Sequence, residues 1–118
     1  MKAQPWQAEL IESLEAASDV GRQRAAWVDR TSFLPDPVEL ICQIFDDSAI
    51  DDLLAEGVVF SGTTDAALRR LGTLADGLEM RLDQDPERLL SSEGWIEFAR
   101  EAGRVATLVR KDLAEEDR

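Results

Sequence analysis

Three observations predict an all-α fold, an irregular bundle of five or six helices. Apolar residues recur at spacings of three and four along most of the chain. Proline and capping residues break these runs at intervals that suit short helix-to-helix connections. The one β-like triplet, Val58-Val59-Phe60, has no partner run nearby with which to pair, so it reads as an extended connector packed on the core.

The first helix is expected to start at Pro5, because proline suits the first helical turn, where its missing N–H is not needed. Trp6, Leu10, Leu14 and Ala17 form its apolar stripe, while Glu9, Glu12 and Glu15 face elsewhere. Ser18-Asp19 caps a second helix running through Arg24 to Trp27. Phe33-Leu34-Pro35-Asp36-Pro37 is the clearest break, since each proline pushes the residue before it out of helical conformation. Asp36 is then the N-cap, Pro37 the first helical residue and Glu39 the third. Val38 to Phe45 is apolar nearly all round, which predicts a central, buried helix.

Ser48 is the expected cap of a short helix from Ala49 to Glu56, closed by Gly57. Thr63 or Thr64 caps the next helix, whose stripe is Leu68, Leu71, Leu74, Leu78 and Leu82. Gly72 and Gly77 lie within it and suggest close helix packing there. Asp85-Pro86-Glu87 starts a short turn through Leu90. Ser91 or Ser92 caps the last helix, which carries the cleanest stripe: Trp95, Phe98, Ala99, Ala102, Val105, Ala106, Val109 and Leu113. The polar end, about residues 114–118, is expected to fray.

The 118 residues make a single helical domain, 1–118, long enough to bury roughly two-thirds of the surface the unfolded chain exposes. Hydrophobic residues form 44% of it, too many for a disordered chain. No run approaches the roughly 20 apolar residues of a membrane span. The start, Met1-Lys2-Ala3-Gln4-Pro5-Trp6, lacks the apolar stretch of a signal peptide, so a reducing cytoplasm is expected. The single cysteine, Cys42, forms no intrachain disulfide, and with no histidine in the chain there is no Cys-His nucleophile.

The net charge is −12, from 25 acidic and 13 basic residues. Such a chain repels nucleic-acid phosphates and anionic membranes, and draws a basic protein toward it. The charge is uneven. Between Arg30 and Arg69 there is no basic residue, while Asp36, Glu39, Asp46, Asp47, Asp51, Asp52, Glu56 and Asp65 all fall there. Asp46, Asp47, Asp51 and Asp52 gather around Ser48, and Glu56 follows Asp52 by one helical turn. Two uses of this cluster stand side by side. The aspartates complement a helix N-terminus and solvate a face, or Asp46, Asp47, Asp51, Asp52 and Glu56 form an acidic docking patch for a basic protein partner.

Catalytic signatures are absent. There is no nucleophile elbow or glycine-rich phosphate loop, and Asp46 to Gly57 lacks the ligand spacing of a calcium loop. Glu12 and Glu15 form Glu-x-x-Glu, a pair that all-α nucleotide pyrophosphohydrolases use to hold magnesium. A second pair is needed, and Asp47 with Asp51 is the candidate. This metal-dependent hydrolase is the alternative from a different class; a structural homo-oligomer subunit, packed through Gly72 and Gly77, is another. Arg100, Arg104, Arg110 and Lys111 on the last helix are interleaved with Glu93, Glu97, Glu101 and Asp112, a solvated face rather than a DNA-reading one.

Glu39-Leu40-Ile41-Cys42-Gln43-Ile44-Phe45-Asp46-Asp47-Ser48, continuing to Asp51-Asp52-Leu53-Leu54, resembles small acidic bacterial immunity proteins of contact-dependent or polymorphic toxin systems. The Leu-rich helix and the Trp-containing final helix agree with the resemblance, which spans about half the chain and carries over no individual residue role. It implies an interaction protein that occludes a basic toxin domain, with no catalytic residue, no metal and no cofactor.

Overall fold

The computed structural model describes residues 4–47, 50–78, 82 and 85–116, with Asp47 and Glu116 described in backbone only. It is all-α: α1 is Pro5–Ser18, α2 Val20–Trp27, α3 Pro37–Cys42, α4 Ile50–Glu56, α5 Gly62–Leu78, α6 Pro86–Ser91 and α7 Glu93–Glu116. A π-helical turn, Gln43–Asp47, continues α3. The short α6 is the segment expected as a turn from Asp85 to Leu90; apart from it there are six helices, and no strand, among the described residues.

Local chemistry explains most boundaries. Ahead of α1, the Gln4 N–H donates to Gln7 Oε1 at 2.8 Å and Trp6 Nε1 donates to Gln4 Oε1 at 2.9 Å. Asp19 caps α2 by accepting from the Arg22 N–H at 3.0 Å, and Asp36 caps α3 by accepting from the Glu39 N–H at 2.9 Å. Ser92 Oγ accepts from the Trp95 N–H at 3.3 Å at the start of α7. After α4, Gly57 takes φ +153°, a backbone that L side chains rarely adopt. Ser48, the expected cap of α4, lies outside the described residues.

The expected cap of α5 is corrected. Ser61, not Thr63 or Thr64, precedes the helix, and its Oγ accepts from the Thr64 N–H at 3.2 Å. The Thr64 hydroxyl is taken by another task. It is buried, and donates to Asp112 Oδ2 at 2.5 Å, as Ser61 Oγ does at 2.9 Å. Asp112 of α7 thereby latches the start of α5. Next to it the buried Asp65 accepts from the Val59 and Phe60 N–H groups at 2.8 and 3.0 Å. That clamp holds the Val58–Phe60 connector, and the Phe60 ring meets the Trp6 ring at 5.9 Å. Asp65 is thus a structural group and leaves the acid-only stretch as a surface.

Helix α7 is the strut of the bundle. At 1.5 Å per residue its 24 residues span about 36 Å, most of the molecule's 43 Å length. Helices α1 and α5 both pack along it. Its stripe, Trp95, Phe98, Ala99, Ala102, Val105, Ala106 and Val109, is buried, as are Leu10, Leu14 and Ala17 of α1 and Leu68, Leu71 and Leu78 of α5.

One polar group is buried at the centre of this packing. Gln23 of α2 has no exposed surface. Its Nε2 donates to the carbonyls of Ala16 and Ala17, at 2.9 and 2.8 Å, and its Oε1 accepts from Trp95 Nε1 at 2.9 Å. The carbonyls near the end of α1 need partners, and the buried indole N–H needs an acceptor. One amide serves both. Trp95 meets Trp27 edge-on at 5.7 Å, and Trp27 Nε1 donates to the Pro35 carbonyl at 3.1 Å, tying down the loop that leads into α3.

Close approach happens elsewhere than expected. A Cβ on Gly77 would meet nothing within 4 Å, and one on Gly72 would make an ordinary 3.6 Å contact with the ring of Phe45 in the same chain. The tight glycines are on α7. A Cβ on Gly103 would lie 3.2 Å from Ser18 Cβ of α1, and one on Gly94 would lie 3.0 Å from Leu78 Cδ2 of α5. The expectation that Val38 to Phe45 is buried all round is also corrected. Leu40, Ile44 and Phe45 are buried, but Val38 is 47% exposed and Ile41 and Cys42 are half-buried. The reason is position: α1 is the helix against which α3 packs most, and among the described residues the Val38 side of α3 lines an open groove.

Two stability outcomes follow. Gln23→Ala orphans the Trp95 N–H and the Ala17 carbonyl, leaves the Ala16 carbonyl with only the Asp19 N–H, and opens a cavity, so urea unfolding is expected to show a loss of about 2–4 kcal/mol; a loss below ~1 kcal/mol would mean that water replaces the amide at no cost. Gly77→Ala gains helix propensity in open space and is expected to raise stability by up to ~1 kcal/mol. By contrast, Gly103→Leu forces α1 from α7 at a cost of about 1–3 kcal/mol. Equal melting temperatures for these two glycine variants would refute the assignment of the close contact to α7.

Candidate functional site

Because α3 lies at the edge of the bundle, it separates two grooves. Leu40 and Gln43 face one, which Glu9, Glu12, Ser13, Ala16, Arg22, Phe33, Leu34 and Pro35 complete. Val38, Ile41, Cys42 and Phe45 line the other, at spacings of three, one and three, as one face of a helix requires.

The second groove holds about 480 Å³ and is open along one side. Its opposite wall is α5, which contributes Arg69, Gly72, Thr73, Ala75 and Asp76. Those positions are also three or four apart, and apart from Arg69 their side chains are short, so α5 leaves room above an apolar floor. Leu82 adds a further apolar contact. Asp46 from the π-helical turn, Asp51 from α4 and Asp76 from α5 supply the carboxylates of the lining. The floor belongs to the core: Phe45 is buried and packs on Gly72. Rigid packing beneath gives the groove a fixed shape.

Of the five residues predicted from sequence as a binding patch, the structure brings two, Asp46 and Asp51, into this groove. Asp52 and Glu56 are exposed on α4 beside it and do not line it. The side chain of Asp47 lies outside the described residues. Asp76 was missed. Nothing in its local sequence marks it, since it sits on α5 more than 20 residues beyond the aspartate cluster. Only the packing of α5 across from α3 brings it in.

The electrostatics of the groove are one-sided. Asp51 holds its proton to higher pH than an ordinary aspartate. Partial desolvation is the main cause, and the negative charges of Asp46, Asp76 and Asp52 add to it. Arg69 is in the lining, but its Nη2 donates to the Leu54 carbonyl at 3.0 Å. Among the described residues no ion pair neutralises Asp46, Asp51 or Asp76. Four arginines elsewhere hold ion pairs: Arg24 with Glu87 at 2.9 Å, Arg70 with Glu97 at 3.3 Å, Arg104 with Glu101 at 2.6 Å, and Arg110 with Glu15.

That last pair bears on the Glu-x-x-Glu reading. Glu15 is turned to Arg110 of α7, while Glu12 lines the first groove, across α3 from Asp51. Glu12, Glu15 and Asp51 do not converge on one site; the side chain of Asp47 lies outside the described residues. Among the described residues, no group of three or more Cys, Asp or Glu side chains is placed to hold a metal ion. No helix among them is long and apolar enough to cross a membrane.

Comparison of the chain with protein-family models, curated proteins and solved structures found no match. The reading of the groove therefore rests on its own chemistry: an apolar floor, a carboxylate on each side and a surplus of negative charge.

The Asp51 shift has a definite sign in stability. A folded-state pKa raised above the unfolded one means that the folded chain binds more protons between the two values, so stability falls as pH rises through that window. At neutral pH the ionised Asp51 is a net cost. Asp51→Asn is expected to raise the melting temperature at pH 7, and the gain should vanish below the unfolded aspartate value of roughly 3.9. Thermal melts at pH 7 and 3.5 measure it; an equal gain at both would assign the effect to something other than charge.

Proposed function

We propose that this protein is an acidic protein-binding module of the immunity or antitoxin type, which neutralises a basic toxin domain in the cytoplasm by covering it stoichiometrically. One observation carries the reading: an apolar groove formed by α3 and α5 whose carboxylates, Asp46, Asp51 and Asp76, meet no ion-pair partner among the described residues. Unneutralised charge next to half-buried apolar surface costs stability in the free protein. A basic partner removes that cost by supplying both the counter-charge and the apolar cover.

A stable interface takes about 800 Å² from each partner, more than the groove alone offers. Asp52 and Glu56 of α4 extend the same acidic surface and complete the patch. The rim charges steer the encounter and set the on-rate; the apolar floor sets the off-rate. A toxin that acts on nucleic acid presents a basic cleft of the required sign.

The test is kinetic. The tagged protein captures its partner from native extract, and the purified partner is mixed by stopped flow with wild type and with the Asp46→Lys, Asp51→Lys double variant. The expected outcome is a one-to-one complex, with an association rate at low salt at least tenfold slower for the variant, roughly the size of electrostatic steering. Co-expression of wild type should restore growth of cells making the partner. An on-rate unchanged by the two reversals would remove the acidic face from the mechanism, and a partner with no effect on growth would remove the toxin.

A further inference from the structure

We infer that the groove formed by α3 and α5 receives a basic amphipathic helix of the partner, with apolar side chains on Val38, Ile41 and Phe45 and flanking Lys or Arg side chains on Asp46, Asp51 and Asp76. This rests on the protein-binding reading above and names the form of the bound segment.

The walls select a helix over an extended peptide. A strand binds by pairing its backbone with an exposed sheet edge, and no strand exists among the described residues to offer one. An extended segment lying on the apolar floor would leave its backbone N–H and C=O groups facing Val38, Ile41 and Phe45, without partners. A helix satisfies its own backbone and presents only side chains. The floor residues repeat with helical spacing along α3 and into the π-helical turn that continues it, and α5 opposes them with Gly72, Thr73 and Ala75, small enough to admit the side chains of a third helix.

Charge selects a basic helix. Asp46 and Asp51 approach from the α3–α4 side and Asp76 from α5, so carboxylates flank the floor on both sides. A helix with an apolar stripe and cations beside it on either edge matches that pattern. A second copy of this chain does not. Two-fold pairing through the groove would set aspartate against aspartate in a chain of net charge −12. A small molecule fits less well, because the trough is open along one side and would leave much of such a ligand uncovered.

The probes are two fluorescent peptides of about 18 residues with the same leucine and lysine content. One places leucines in a helical stripe; the other alternates them with lysine. Binding to the full chain is read by fluorescence anisotropy at low and high salt, and located by amide chemical shifts. The striped peptide is expected to bind at least about tenfold more tightly. Its shifts should centre on Val38, Ile41, Asp46 and Asp76. Val38→Ser and the Asp46→Asn, Asp76→Asn pair should each weaken it about fivefold or more, with melting temperatures confirming that both variants fold. Equal affinity for the two peptides, with both weakened by salt and by the aspartate variant, would overturn the helix-in-groove inference while keeping the acidic binding face. Binding that ignores salt and both variants, or shifts centred on Glu12 and Phe33 across α3, would overturn the inference and the acidic-face reading together.

Discussion

The fold turns on one buried amide. Gln23 joins the end of α1, the body of α2 and the start of α7 through three hydrogen bonds of 2.8 to 2.9 Å. Apolar packing alone does not set how far these helices slide past one another, because dispersion contacts are individually weak and non-directional. A buried amide does. If α2 shifts by one residue, the Ala17 carbonyl and the Trp95 indole N–H lose their partner in a medium without water, and the Ala16 carbonyl loses its shorter bond. Trp95 passes this constraint on. It holds Trp27 edge-on, Trp27 holds Pro35, and Pro35 sits at the entry to α3. The position of the groove wall thus traces back to Gln23.

The carboxylates divide into distinct tasks once folded. Asp19 and Asp36 cap helices. Asp65 and Asp112 are clamps at the start of α5, where they accept hydrogen bonds that fix a connector and join α5 to the far end of α7. Glu15, Glu87, Glu97 and Glu101 pair with arginines at the surface, in contacts worth at most about 1 kcal/mol each. Among the described residues, Asp46, Asp51 and Asp76 hold no cap, clamp or ion pair. They lie beside exposed apolar surface, and Asp51, partly desolvated and near the charges of Asp46, Asp76 and Asp52, holds its proton to higher pH. Their place beside a shaped groove is what gives the binding proposal its physical content.

Much of the architecture was legible without coordinates. The stripes of α1, α5 and α7 were readable because helical periodicity survives any tertiary arrangement. The caps at Asp19, Asp36 and Ser92 were readable because capping is local chemistry. Errors came where a residue's task was set by something distant. Thr64 reads as a cap until Asp112, 48 residues away, takes its hydroxyl and leaves Ser61 to do the capping. Gly72 and Gly77 read as contact points because glycine spacing alone does not say which side of a helix meets a neighbour. Gly94 and Gly103 meet theirs because α7 lies between α1 and α5.

The sequence by itself determined the fold class, most of the helix ends and the concentration of acid between Arg30 and Arg69, since each depends on neighbours within a few residues. Tertiary structure alone decided which acids became surface. It took Asp65 inward and added Asp76 from another helix. It also opened the outer side of α3, which an apolar run had suggested was buried. Burial depends on which helices are available to cover a face, and among the described residues α3 packs mainly on α1. The uncovered side, with carboxylates gathered from three elements, is a property of packing that no single segment encodes.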